Sequence, residues 1–471
     1  MIPITEYAGR DVAVYGLGRS GLSAAKALKA GGARVHAWDD NEETRAKAEA
    51  AGIALSDINK RDWQTFAALV LSPGIPYKFP QPHRLVRMAE MTGVPVIGDM
   101  ELFARAVQAL PERGRPKVVA ITGTNGKSTT TALIGHILKE AGRDVRVGGN
   151  IGTGVLDLAA LHSNAVYVLE MSSYQLDLVK SLHCNVAVML NLSPDHLDRH
   201  GGMDGYQAAK MRIFQNQTPH DIAVVGFDDI YTQSIAIGLS ASGPQRVTQI
   251  SSTYTLGKGV SAVEGRLYDN LNGKAEFIGK LEDCPALQGR HNFQNAAAAL
   301  AALIALGLDG AAAAEHLASF PGLPHRLEEV GRVGGVVFIN DSKATNAESA
   351  RQALTAFDRI YWIAGGVPKA EGILPLVPLF ANVTKAYLFG QAEEAFAATL
   401  QGKVAMQACG TLDRAVDAAF RDARAAGDPA PVVLLSPACA SFDQFKDYEH
   451  RGDVFRNLVR SMMPAPLKES A

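Results

Sequence analysis

Short apolar runs rich in Val, Ile and Leu recur along the chain, separated by longer stretches of mixed polarity. Runs this short, bounded by turn residues and alternating with helical stretches, predict buried strands of parallel α/β sheets. They fall into three blocks. The first holds runs at residues 12–15, 34–38, 69–71 and 94–97 and leaves through residues 111–117, a linker rich in Arg and Pro. The second opens at 118–121 and continues at 166–169, 186–190 and 222–225. Residues 245–280 then turn rich in Thr, Ser, Val and Gly, and Asn272-Gly273 predicts a hairpin. That stretch reads as a small antiparallel addition ahead of an alanine-rich helix at 296–308. The third block starts after Pro321-Gly322-Leu323-Pro324, with runs at 336–339, 360–363, 387–389 and 432–435. The expected domains are residues 1–110, 111–323 and 324–471, with no internal repeat and a frayed tail after Met463.

Composition adds bounds. A length of 471 residues suits about three domains, and 47% apolar residues supply several cores. A formal charge of −2 gives no nucleic-acid footprint and no attraction to an anionic membrane. Cys184, Cys284, Cys409 and Cys439 lie far apart with no CxxC pair, which predicts reduced thiols in the cytoplasm. MIPITEYAGR lacks a basic start followed by an apolar stretch, so no signal peptide is expected. The apolar stretch at 296–308 is too short to span a bilayer. A cytoplasmic monomer without membrane insertion is the expectation.

Polar or glycine motifs sit directly after the predicted strands: GLGRSG, SPG, TGTNGKST, EMSS, NLSPDH, NDSKATN, AGG and SPACAS. Ligands of open α/β sheets bind outside the carboxyl ends of strands. The most informative motif is Thr122-Gly123-Thr124-Asn125-Gly126-Lys127-Ser128-Thr129, between a strand and a helix predicted at 130–141. Backbone N–H groups and the helix dipole would face a phosphate, Lys127 adds charge, and a hydroxyl can ligate Mg²⁺. Ile121 stands where the usual P-loop has its first glycine.

Gly16-Leu17-Gly18-Arg19-Ser20-Gly21, with Asp39 after the next strand, matches a dinucleotide fingerprint, though the same geometry suits any diphosphate-linked ribonucleoside. Glu170, at a strand end, is placed to hold Mg²⁺ opposite Ser128 or Thr129, and Asp195-His196-x-Asp198 could add a ligand. Lys210 looks like an ordinary helix lysine. Asn292 and Asn295 precede the alanine-rich helix and either cap it or read a base edge. Arg326 either reaches a transferring phosphoryl group or is a solvated hinge charge. Asn340-Asp341-Ser342-Lys343-Ala344-Thr345-Asn346 packs an acid, two hydroxyls and a lysine into one loop.

In this order TGTNGKST, Glu170-Met171-Ser172-Ser173, SPDHLDRH, HNFQNAAAA, GLPHR and NDSKATN resemble the Mur ligase family, the ATP-dependent amino-acid ligases of peptidoglycan precursor synthesis. NDSKATN and LSPACASFDQF look like the member that adds D-glutamate, and the likeness runs from about residue 10 to 456. The resemblance implies a three-domain α/β fold. A Rossmann-like N-terminal domain would bind the UDP moiety, a central P-loop ATPase domain would carry the antiparallel addition, and a Rossmann-like C-terminal domain would take the amino acid. It implies that ATP phosphorylates the carboxylate of UDP-N-acetylmuramoyl-L-alanine and that the amine of D-glutamate attacks the acyl phosphate.

The resemblance also assigns residues. Gly123, Thr124, Asn125, Gly126, Lys127, Ser128 and Thr129 would bind ATP phosphates, with Asn292 and Asn295 at adenine, Asp341 at ribose and Arg326 at phosphate. Two Mg²⁺ sites are implied: Ser128 or Thr129 with Glu170, and His196 with a carbamylated Lys210. Lys127, Lys210, His196 and Arg326 are the catalytic candidates. Arg19, Ser20, Asp39, Asp40, Ser72 and Gly74 would meet UDP; Asn150, Ser172 and His196 the muramoyl substrate; Lys343, Thr345, Lys369, Ser441 and Tyr448 D-glutamate. Three alternatives fit less of the chain. An NAD-dependent dehydrogenase leaves TGTNGKST idle, a nucleotide switch leaves the third block's loops idle, and a folylpolyglutamate-synthase-type ligase should lack GLGRSG.

Overall fold

The computed structural model describes residues 1–369, 372–427 and 430–463; the expected frayed tail, and Ala370 and Glu371, lie outside them. The chain divides into two compact units, Met1–Phe320 and Pro321–Ala471. The first unit contains two sheets and the second contains one.

The first sheet is built from β1 (Asp11–Tyr15), α1 (Arg19–Ala30), β2 (Arg34–Trp38), α2 (Glu42–Ala50), β3 (Phe66–Leu71), α3 (Arg84–Thr92), β4 (Val96–Ile97) and α4 (Asp99–Gln108). Its strands run parallel in the order β2-β1-β3-β4. Val12 and Val14 enter one core and Ala13 and Tyr15 the other, as the period-two alternation of a strand covered on both faces demands. α1 packs so closely on the glycine turn that a Cβ on Gly21 would lie 1.7 Å from the Gly16 carbonyl oxygen.

α4 joins this sheet to the next. Leu102 and Phe103 are fully buried in a core shared with Tyr167, and the Phe103 and Tyr167 rings are 5.3 Å apart. The buried Glu101 accepts from the backbone N–H groups of Lys180 and Ser181 and from Arg105, which offsets the cost of burying its charge. Two sheets thus form one unit.

The central part comprises β5 (Lys117–Thr122), α5 (Lys127–Glu140), β6 (Asp144–Gly149), β7 (Ala165–Glu170), α6 (Ser173–Asp177), β8 (Val186–Met189), α7 (Leu197–His200), α8 (Met203–Met211), β9 (Ile222–Gly226) and α9 (Ile230–Ser242). It continues with β10 (Arg246–Ser251), β11 (Gly259–Val263), β12 (Arg266–Asp269), β13 (Glu276–Lys280), α10 (Arg290–Ala305) and α11 (Gly310–Glu315). The nine strands lie in the order β13-β12-β11-β10-β9-β8-β5-β7-β6. β10 and β11 extend the parallel sheet, and antiparallel pairing begins only between β11 and β12. Asn272-Gly273 sits in the β12–β13 connection as expected, with Gly273 at φ +80°. A second hairpin turn at Glu264-Gly265, both at positive φ, joins β11 to β12.

The second unit runs β14 (Glu328–Val333), β15 (Val336–Asn340), α12 (Ala347–Ala356), β16 (Ile360–Gly365), β17 (Val383–Phe389), α13 (Glu393–Leu400), β18 (Ala405–Gly410), α14 (Leu412–Ala425), β19 (Val432–Leu435) and α15 (Tyr448–Met462). Its sheet has the order β14-β15-β19-β16-β17-β18 and is parallel except for β14. β6, β14 and β18 escape the sequence pattern. All three are sheet edges carrying charged or polar residues in partly exposed positions, so none reads as an apolar run. The four cysteines are free and buried. Among the described residues, no helix is long and apolar enough to cross a membrane.

Candidate functional site

The phosphate-type loop lies between β5 and α5. The helix begins at Lys127, three residues before the predicted start, with Gly126 as its N-cap in the left-handed region and no side chain capping it. The helix terminus therefore presents backbone donors and its positive dipole end toward any anion, with no acid in the first turn to compete. A Cβ on Gly126 would fall 2.1 Å from Asn295 Oδ1, so the glycine is needed for both its φ of +84° and its closeness to α10.

Neighbouring elements hold the loop rigid. Thr124 N donates to Asn191 O at 2.9 Å, and Asn125 N donates to Asn191 Oδ1 at 2.9 Å. Asn191 Nδ2 in turn donates to Gln294 Oε1 at 2.9 Å, and the Thr124 hydroxyl donates to Ser193 O at 3.1 Å. Asn292 and Asn295 do not cap α10: the helix begins at Arg290, and both sit buried within its first turns. Asn295 Nδ2 donates to Asn292 Oδ1, and Asn295 Oδ1 accepts from Thr130.

Two lysines converge on the loop. Lys127 Nζ donates to the carbonyls of Gly123 (2.9 Å) and Thr124 (2.7 Å). Lys210 is no ordinary helix lysine, since it is 1% exposed and donates to the same Gly123 carbonyl at 2.8 Å and to Thr122 Oγ1 at 3.2 Å. Its ammonium lies 4.8 Å over the Tyr206 ring. Burial, reinforced by the charge on Lys127, holds the Lys210 pKa well below the usual lysine range. Sequence pattern could not show this, because helical spacing says nothing about the strand end above α8. His196 sits before α7 at φ +52°, its ring 5.0 Å from Tyr174. Burial lowers its pKa against the opposing charge of Asp195, and Lys127 and Lys210 push in the same direction as burial.

Glu170 ends β7. Its Oε1 accepts from Asn150 Nδ2 at 2.8 Å, while Oε2 is buried without a hydrogen-bond partner. Ser128 and Thr129 are each 7% exposed in the first turn of α5. An orphaned carboxylate oxygen at one strand end and hydroxyls in the first turn of α5 are the donor types that suit a hard cation keeping water and phosphate oxygens as its other ligands. No group of three or more His, Cys, Asp or Glu side chains forms an all-protein cage among the described residues.

The residues expected at UDP are engaged with the protein itself. Arg19 donates to the carbonyls of Gly152 (3.1 Å) and Asn150 (3.2 Å), tying α1 to the loop that carries Asn150. Asp39 accepts from Leu17 N at 2.6 Å and from Asn41 N, and Asp40 accepts from the Tyr15 hydroxyl at 2.8 Å. Ser20 hydrogen-bonds Asp99, Ser72 N donates to Tyr15 O, and Gly74 O accepts from Arg199. Ser172 caps α6 through a capping box with Gln175.

In the second unit Asp341 is buried after β15, accepts from Ser436 Oγ at 2.8 Å and from Leu327 N, and is drawn on by the charge of Arg326. Burial nonetheless raises its pKa to about 7. Lys343 Nζ donates to the Tyr448 hydroxyl at 2.9 Å and lies 4.5 Å over its ring. Ser441 is buried, Thr345 half-buried and Lys369 exposed. Pattern reading missed Arg451. This fully buried guanidinium donates to Ser342 Oγ and O, to Gly365 O and to Cys439 O, so it fastens the loops after β15, β16 and β19 together. No motif in the linear sequence singles it out.

The family profile described as the Mur ligase middle domain matches residues 121–303, and that of the Mur ligase glutamate ligase domain matches 325–439. The UDP-N-acetylmuramoylalanine--D-glutamate ligase of Phenylobacterium zucineum (strain HLK1) is 55% identical over 462 residues, 98% of each chain. The protein of the same name from Caulobacter sp. (strain K31) is also 55% identical over 462 residues, again 98% of each. Among solved structures, the UDP-N-acetylmuramate-alanine ligase of Thermotoga maritima superposes with a TM-score of 0.59 at 18% identity, covering 96% of this chain and all (100%) of that one. That structure shares the fold; the full-length identity to the curated relatives goes further. On that footing the chain belongs to the Mur ligase family.

Proposed function

We propose that this chain is an ATP-dependent ligase that joins D-glutamate to UDP-N-acetylmuramoyl-L-alanine, a cytoplasmic step of peptidoglycan precursor synthesis. The observation that carries the reading is the loop after β5, where two lysines meet on the Gly123 carbonyl at an uncapped helix terminus. Full-length identity to relatives bearing that ligase name supports the substrate choice. We assign residues 1–110 to the UDP moiety, 111–323 to ATP and 324–471 to D-glutamate.

A carboxylate is a poor electrophile, and phosphorylation supplies its leaving group. The α5 amides and Lys127 bind and orient the phosphates, placing the terminal one for attack by the substrate carboxylate. Mg²⁺, when bound, neutralises phosphate charge; Glu170 with Ser128 or Thr129 would hold one ion, and His196 with a carbamylated Lys210 a second. Burial favours the neutral amine of Lys210, the form able to take up CO₂. Asn150 orients Glu170, and Arg19 orients the Asn150 loop. In the second unit Arg326 and Asp341 are assigned to phosphate and ribose. Thr345, Lys343, Lys369, Ser441 and Tyr448 are assigned to D-glutamate. Its amine attacks the acyl phosphate, and the tetrahedral intermediate expels phosphate to leave the amide.

The test is phosphate release with each component omitted in turn. Turnover requiring ATP, UDP-N-acetylmuramoyl-L-alanine and D-glutamate together supports the assignment. Robust ATP turnover without either acceptor, or equal use of L-glutamate, counts against it.

A further inference from the structure

Three polar side chains from separate elements join in series and end on the phosphate loop. Asp228, just after β9, accepts at Oδ1 from Ser251 Oγ (2.6 Å) and at Oδ2 from Ser252 N (2.8 Å), Ser252 Oγ (3.0 Å) and Gln294 Nε2 (3.0 Å). Gln294, buried on α10, turns its oxygen to Asn191 Nδ2 at 2.9 Å. Asn191, just after β8, clasps one loop residue from both sides: its Oδ1 accepts from Asn125 N at 2.9 Å, and its Nδ2 donates to Asn125 O at 3.3 Å. A carboxylate only accepts, so Gln294 must present its NH₂ to Asp228 and its oxygen to Asn191. Asn191 must then meet that oxygen with its own NH₂, which leaves Oδ1 for the Asn125 N–H. Turned over, the Asn191 amide would set NH₂ against that N–H and oxygen against the Asn125 carbonyl. Amide oxygen and nitrogen are nearly equal in size, so packing does not choose between the two orientations; the acid at the far end does. Burial would raise the Asp228 pKa, but hydrogen bonds from Ser251, Ser252 and Thr253 hold it below the usual carboxylate value, so the anchor is an anion at neutral pH.

We propose that Asp228 and Gln294 are positioning residues for nucleotide binding: the carboxylate fixes the direction of two amides in series, and the second amide holds the Asn125 peptide in its phosphate-binding shape. The role in binding rests on the nucleotide reading of this loop, whereas the relay itself is measurable in the free protein. In the full chain, NMR follows hydrogen exchange at the Asn125 backbone amide, and calorimetry gives the affinity for a non-hydrolysable ATP analogue with Mg²⁺. Gln294→Met, similar in length but without an amide, should raise Asn125 exchange at least about tenfold and weaken the analogue at least about fivefold. Two further variants separate direction from packing, and their comparison stands even if the Met variant does not fold. Gln294→Glu still offers an oxygen to Asn191 and should keep Asn125 exchange within about threefold of the parent. Gln294→Lys keeps a donor for Asp228 but turns a donor toward Asn191. It should lose the protection at least about tenfold, although its charge suits Asp228 better than that of Glu. Equal exchange in the Glu and Lys variants, or parent-like exchange in Gln294→Met, overturns the relay. Faster exchange with unchanged analogue affinity overturns its role in binding. If the parent itself does not bind the analogue, the nucleotide reading fails, and the exchange comparison alone decides the relay.

Discussion

Lys210 and Asp341 are both ionisable groups that burial drives toward neutrality, and in each case the consequence can be measured at that residue. For Lys210, Lys210→Ala should lower turnover severely, and a short carboxylic acid added to the variant should restore part of it by standing in for a carbamate. Near-normal activity of the variant would remove that role. For Asp341, burial raises the pKa to about 7 from the usual 3.8. Between those values the folded chain keeps a proton that the unfolded chain has lost. This contribution is therefore fully present below about pH 4 and is lost as pH rises through about 7. Asp341→Asn should flatten the dependence: thermal unfolding of the parent should fall by several degrees more than that of the variant between pH 5 and pH 8. Equal slopes would show that Asp341 is ionised throughout.

At the scale of elements, glycine contacts and loop ties decide which changes the fold tolerates. Gly21→Ala brings a methyl against the Gly16 carbonyl at 1.7 Å, backbone on both sides, so α1 must lift from its sheet. The expected loss is about 1–3 kcal/mol or more, read as a lower urea midpoint. Gly126→Ala adds about 1–2 kcal/mol of left-handed strain and displaces Asn295, so turnover should fall by more than stability does. Arg451→Met should strand carbonyls of Ser342, Gly365 and Cys439, raising amide hydrogen exchange in those three loops together. Much at this scale was legible beforehand: the apolar strands, the breaker at 321–324 and the Asn272-Gly273 turn all follow from local chemistry. The starts of α5 and α10 were not, because neither helix announces itself with a capping side chain; each begins on a glycine at positive φ.

For the whole molecule, the two units each enclose their own apolar clusters, with those of the first joining both of its sheets through α4. A fragment starting at Pro321 should therefore unfold cooperatively on its own in urea, with a near-ultraviolet circular dichroism signal; a featureless, non-cooperative trace would oppose the division. Neither fragment alone should release phosphate from ATP in the presence of both acceptors.

The order of strand-end motifs, their residue types and their likeness to the Mur ligases are properties of the linear chain. They sufficed for the α/β class and the family. Local chemistry reaches that far because alternation, glycine turns and motif spacing act over a few residues. Only tertiary structure decided that Lys210 meets Lys127 on one carbonyl, that Arg19 anchors the Asn150 loop, and that Arg451 binds three loops into one rim. It alone left Glu170 with an unpaired oxygen. Each of these depends on groups brought together from distant positions and on water being excluded around them, and neither is written in the spacing of residues along the chain.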